Sequence, residues 1–139
     1  MVRLEIEALH QFFIGWFTGA LPETAFESGF LARFSADFVF IPPAGRLLGL
    51  SDLASAVLDR YSSNPDFRIE IRQVQIRQRF DNYVVATYEE WQRNALASTP
   101  PDNGRVATVL LRGTEPLEWL HVHETWLPPE TMSAGPYDF

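Results

Sequence analysis

Along residues 67–77 the chain alternates apolar and polar side chains, and midway the alternation changes parity. Phe67, Ile69 and Ile71 are apolar against Arg68, Glu70 and Arg72; then Val74 and Ile76 are apolar against Gln73, Gln75 and Arg77. Period-two alternation marks a half-buried strand, because successive side chains point to opposite faces. A slip of one residue inside such a strand is what a β-bulge leaves, and bulges bend sheets. The stretch therefore predicts a curved sheet with an apolar face that other elements must cover.

The cover lies upstream. Ile6, Leu9, Phe12, Phe13, Trp16 and Phe17 recur at three- and four-residue steps and predict a first helix with a broad apolar stripe, stopped by Gly19 and Pro22. Thr24 opens a second, short helix, with Glu27 placed to complete a capping box, and Phe26, Phe30 and Phe34 line its buried side. Val39–Ile41 and Arg46–Leu48 form a short hairpin about the Pro42–Gly45 turn. Ser51 caps a third helix carrying Leu53, Val57, Leu58 and Tyr61 on one face, and Asn64-Pro65 ends it. Beyond Phe67 everything to Leu127 is strand: Asp81-Asn82 turns into a strand from Tyr83 to about Arg93, a polar loop leads to Val106–Arg112, and Glu115-Pro116 turns into Leu117–Leu127. Helices on one side of a long antiparallel meander make an α+β domain over residues 1–127, with a tail at 128–139 that has no periodic pattern.

Composition removes several chemistries. Hydrophobic residues are 46% and aromatics 14% of the 139 residues, too rich for a disordered chain and enough for one core. The net charge of −7 argues against a nucleic-acid partner, which needs a basic surface. No apolar run approaches the roughly 18 residues that span a bilayer, so no membrane partner is expected and a cytoplasmic location is the default. There is no cysteine, and all 11 basic residues are arginine. Thiol catalysis, lysine Schiff bases and the phosphate-loop lysine are thereby excluded. Proton transfer falls to His10, His121, His123, a carboxylate or a tyrosine.

The element order, taken with the final strand Trp119-Leu120-His121-Val122-His123-Glu124-Thr125, resembles the nuclear transport factor 2-like superfamily. The similarity is to its SnoaL-like, ketosteroid-isomerase-like branch, whose last strand often carries a His-x-His-x-Ser/Thr pattern. Asp81 to Gln92 also looks like the corresponding strand of the calmodulin-dependent kinase association branch, with Glu89 where that branch places a pocket-facing arginine. The resemblance, over roughly Leu4 to Leu127, implies a cystatin-like α+β roll. In it a cone-shaped curved antiparallel sheet and three helices of the N-terminal half enclose a cavity. It implies a homodimer through the outer sheet face. One departure matters: the position of the steroid isomerases' aspartate base falls on Ile41 or Pro42, and neither can carry a proton.

On the last strand Trp119, His121, His123 and Thr125 share one face, with Leu120, Val122, Glu124 and Trp126 on the other. Both faces carry apolar residues, so periodicity alone does not decide which looks inward. The family comparison favours the histidine face, and on the strand from Tyr83 it favours Val85, Thr87, Glu89 and Trp91. Glu89 would then lie roughly 10 Å in backbone terms from the histidines, across one intervening strand. His123, His121 and Glu89 are accordingly the candidate acid–base cluster, because a carboxylate near an imidazole raises its pKa. The candidate pocket wall is Trp119, Trp91, Thr87, Phe13 and Trp16, and Tyr88 and Glu90 are assigned to the outer surface or a dimer contact. The bland alternative makes both histidines hydrogen-bonded core or interface residues. Two imidazoles on one strand face also suggest a metal, but a clear third ligand is lacking, and neither metal nor organic cofactor is implied.

These features point to a SnoaL-like binder of a small apolar or carboxylated molecule, acting as an isomerase, cyclase or dehydratase or binding without chemistry. The rival is a non-catalytic dimerisation or protein-interaction module. His123→Ala should weaken binding without unfolding the chain if the pocket reading holds.

Overall fold

The computed structural model describes every residue from Met1 to Phe139. Helix α1 spans Val2–Thr18 and ends where Gly19 takes a left-handed conformation at φ 82°, a geometry that glycine adopts without a Cβ clash. The last carbonyls of α1 are not left open: Trp16 and Phe17 accept backbone N–H bonds from Ser62 and Asn64, both at 2.9 Å. A segment 40-odd residues downstream thus closes the helix end, satisfying groups that helix geometry orphans.

Helix α2 (Ala25–Gly29) starts at Thr24, but the expected capping box does not form, since Thr24 is itself helical and makes no side-chain cap bond. A 3₁₀ turn at Leu31–Arg33 leads into β1 (Phe34–Ile41), and the Pro42–Gly45 turn leads to β2 (Leu48–Gly49). Helix α3 (Leu50–Asp59) begins one residue before the expected cap: the Asp52 carboxylate accepts from the Gly49 N–H at 3.0 Å. Then come β3 (Arg68–Phe80), β4 (Tyr83–Arg93), β5 (Asn103–Gly113) and β6 (Leu117–Trp126). The segment after Pro128, without pattern in the sequence, carries a short fourth helix, α4 (Pro129–Ala134), and lies against the outer sheet face through Tyr137, which meets Trp91 edge-on at 5.7 Å.

The sheet has six strands in the order β2-β1-β6-β5-β4-β3. It is antiparallel except where β1 runs parallel to β6. The parity change in the sequence is a register shift between Arg72 and Gln75, with Gln73 at φ 55°. A second irregularity falls in β6: Leu110 pairs with His121 but Leu111 pairs with Trp119, so Leu120 is an extra residue in its strand. These bulges curl the sheet around the helices. Between the layers lies one main core, in which Ile6, Phe12, Trp16, Phe30, Val109, Leu111 and Trp119 are at most 5% exposed. Truncating any of its large aromatics to alanine would cost about 3–5 kcal/mol. No helix is long and apolar enough to cross a membrane.

Candidate active site

The inner face of β4 carries Val84, Ala86, Tyr88 and Glu90, all buried, followed by half-buried Gln92. On β5 the inner residues are Arg105, Ala107, Val109 and Leu111; on β6 they are Trp119, Val122 and Glu124. Register sets these in rows: Tyr88–Ala107–Glu124, and beside it Glu90–Arg105. Ala107 is small and fully buried, so Tyr88 and Glu124 flank a shallow place in the sheet. Over it Leu9, Phe13 and Phe17 descend from α1 and Leu53 and Val57 from α3, and together they enclose a cavity of about 190 Å³. Its wall is mostly apolar, with polar groups gathered where β4, β5 and β6 meet.

His10 supplies the helix side of that cluster. Its Nδ1 donates to the Ile6 carbonyl at 2.7 Å, and its Nε2 reaches Glu90 Oε1 at 2.9 Å. The other Glu90 oxygen accepts from the Gln92 amide at 2.5 Å. Burial alone pushes a carboxylate up, but here the His10 charge, its hydrogen bond and nearby Arg105 outweigh it and hold Glu90 at about 2. Burial likewise opposes the charge on His10, yet Glu90 prevails and raises the imidazole. The pair is ionised.

Glu124 has the opposite environment. Burial and then the negative charge of Glu90 raise it to about 7, although Arg105 pulls the other way. Arg105 Nη1 donates to Glu124 Oε1 at 3.1 Å and Nη2 to Asn103 Oδ1 at 3.0 Å, while the guanidinium lies 4.8 Å over the Trp126 ring. Its Nε is buried with no partner. Burial and the two carboxylates push the Tyr88 hydroxyl well above its ordinary value, so the phenol keeps its proton and is available as a donor. The site therefore holds one carboxylate fixed as an anion, one that titrates near neutrality, and a phenol donor. No group of three His, Asp or Glu side chains is arranged to hold a metal ion.

The residues expected from sequence divide between the two sheet faces. Trp119 and Phe13 line the cavity. Trp16 sits behind it in the core, 1% exposed, with Nε1 donating to the Val57 carbonyl at 2.7 Å. Glu89, Thr87, His121 and His123 lie on the outer face, where Thr87–Thr108–His123 form one row and Glu89–Val106–Thr125 the next. Glu89 and the histidines are indeed separated by one strand, but on the side away from the cavity. Trp91 is on that side too, buried under the C-terminal segment, its Nε1 donating to Glu89 Oε1 at 3.0 Å. Conversely Tyr88 and Glu90, assigned from sequence to the outside, face inward. For the histidines the cause is the Leu120 bulge, which turns Trp119 inward and leaves His121 and His123 out; on β4, whose pairing with β5 is regular, it is Tyr88 and Glu90, and not Thr87 and Glu89, that share the cavity face.

No protein-family model matches the chain, and no curated protein matches it. Solved structures do. A protein of unknown function from Pseudomonas aeruginosa, described as nuclear transport factor 2-like, superposes with a TM-score of 0.80 at 26% identity, covering 91% of this chain and 98% of the other. The chain has the nuclear transport factor 2-like fold. A cystatin-like protein from Caulobacter vibrioides shares the fold at a TM-score of 0.66 and 17% identity, over 97% of this chain and 93% of its own. So does a Shewanella frigidimarina protein proposed to be a ketosteroid isomerase, at 0.56 and 16%, over 86% and 97%. In this curved sheet the face under the helices carries His10's partner Glu90 together with Glu124.

Proposed function

We propose that the cavity binds a small organic molecule of about one ring and moves a proton on it, with Glu124 as the acid–base group. The observation that carries this reading is the pair of carboxylates, Glu90 and Glu124, facing one apolar cavity with their affinities for protons driven apart. Paired titratable groups separated in this way mark acid–base assignments. A carboxyl titrating at about 7 is half loaded at neutral pH and can both accept and return a proton. Tyr88, which stays protonated, is placed across Ala107 to donate to an oxygen on which charge builds. Abstraction and return of a proton beside a carbonyl is the reaction these parts support, as in an isomerase, cyclase or dehydratase of the SnoaL-like kind. A cavity near 190 Å³ is only somewhat above the roughly 150 Å³ void that admits benzene.

The test uses cyclohexanone and 2-cyclohexen-1-one in D₂O, with deuterium uptake followed by NMR. Wild-type protein should exchange the protons next to the carbonyl, and Glu124→Gln should lose about 10²–10⁴ of that rate. Binding without exchange would leave a carrier; absence of binding by either ketone would remove the pocket reading. In this reading His121, His123 and Glu89 have no part in the chemistry. Their face, where Val85 and Leu110 lie partly open in one row with His121 and Phe80 is exposed on β3, supports instead a contact with a second copy of the chain, which sedimentation would reveal.

A further inference from the structure

Beyond the cavity lies a second hollow of about 390 Å³, and Phe17, Arg60, Phe67, Gln92 and Arg105 border both. It is the vestibule of the site. In a chain of net charge −7, its 11 lining residues include two arginines and no aspartate or glutamate; the remaining polar groups are Ser63, Asn64, Ser98 and Gln92. The other cavity-lining arginine, Arg105, is tied to Glu124 and Asn103. Arg60 is different. It caps the C-terminus of α3, is exposed, and its guanidinium joins none of the ion pairs that occupy Arg3, Arg33, Arg72, Arg105 and Arg112.

The vestibule is also built rigidly. Asn64 Nδ2 donates to the Asn94 carbonyl at 2.7 Å, and Asn94 in turn donates to Asp66 at 2.8 Å and to the Asp102 carboxylate at 2.9 Å. Ser62 and Asn64 bond back to the end of α1. Arg60 is therefore carried on a segment anchored at both sides.

Resting on the reading of the cavity as a small-molecule site, we infer that Arg60 at the vestibule receives the carboxylate of the ligand, so that the ligand is a small organic acid with an apolar body. The lining fits such a molecule: Phe34, Phe38 and Trp119, with Glu90 and Glu124, border the cavity alone, whereas Arg60, with its free guanidinium, borders both the cavity and the vestibule. Guanidinium presents paired N–H donors that match a carboxylate's two oxygens. A single free arginine bordering a cavity lined by two glutamates suits a monoanion; a dianionic phosphate would meet more repulsion than one guanidinium offsets.

Calorimetric titration of the full chain with phenylacetate and 3-phenylpropionate, each against its primary amide, tests this. The amides keep size and shape and remove the charge. Wild-type protein should bind the better acid at least about tenfold more tightly than its amide. Arg60→Gln should abolish that preference while leaving amide affinity within about twofold, and Arg79→Gln, an exposed arginine away from the mouth, should change neither. Equal binding of acid and amide, or a preference that survives Arg60→Gln, overturns the assignment and leaves the cavity reading standing. If neither acids nor amides bind, the cavity reading falls and takes this one with it.

Discussion

His10 Nε2 lies 2.9 Å from Glu90 Oε1 while Nδ1 of the same ring donates to the Ile6 carbonyl at 2.7 Å, so with Glu90 ionised both ring nitrogens carry protons. Removing one partner strands the other. His10→Leu should destabilise the chain by about 3–5 kcal/mol in urea denaturation, because an unpaired buried carboxylate remains. The double change His10→Leu with Glu90→Leu should recover most of that loss. If the single and double variants are equally unstable, the helix packing of His10 matters more than its charge.

Glu124 is the group expected to titrate near neutrality. Carbon-13 NMR of the glutamate side chains should show one carboxyl with a midpoint at about 7 and one ionised down to about 2. Glu124→Gln should erase the first signal without moving the second above about 4. It should also stabilise the chain at pH 8 by about 1–3 kcal/mol, since no buried charge then has to be maintained there.

Stability should be greatest in mildly acidic solution. Glu90 is held below its ordinary 4.5, so its contribution is present above that value and disappears as pH falls toward about 2. Glu124 is held above 4.5, so its contribution is present below that value and is lost as pH rises through about 7. His10, raised by Glu90, loses its contribution in the same upward direction. The Tm measured across pH should therefore peak near about 4.5 and fall on both sides, toward about 2 as Glu90 is protonated and from about 4.5 to 7 as Glu124 ionises, with each flank on the order of 3 kcal/mol deep. A flat profile would mean that these groups are solvated in solution.

His123 is exposed and pairs across from Thr108 on the outer face. His123→Ala should leave ketone or acid binding unchanged and alter stability by no more than about 0.5 kcal/mol. A tenfold loss of binding would restore the histidine to the site.

Gly19 holds the turn that lets the α3 segment close α1. Its φ is 82°, and a Cβ there would fall 2.3 Å from Ser62 Oγ. Gly19→Ala should cost about 1–3 kcal/mol in thermal or urea denaturation.

The element order, the stop at Gly19 and the bulge near Gln73 were all legible because each leaves a local mark: a three-four spacing, a glycine after an apolar stripe, a change of parity. The site was less so. In β4 both faces carry apolar residues, since the outer face has Trp91 under the C-terminal segment and Val85 partly covered, and in β6 the Leu120 bulge puts Trp119 and the histidines on opposite faces although their parity is the same. Hydrophobicity then cannot tell inside from outside. The signals that were present are His10 within an otherwise apolar helix stripe, and the alternation Tyr88, Glu90, Gln92. Their meeting depends on a contact between positions 80 residues apart, which no local pattern encodes.

The extra residue at Leu120 has a chemical consequence. With Trp119 anchored inward, a strand paired without that irregularity would send His121 and His123 into the cavity and Glu124 out of it. One stretch of sequence thus holds two alternative linings, a carboxylate one and an imidazole one, separated by a single step of strand pairing. Chains of this shape can exchange the proton carrier of their cavity with no change to any reacting residue, through an insertion, a deletion or a repacking at one position of the last strand.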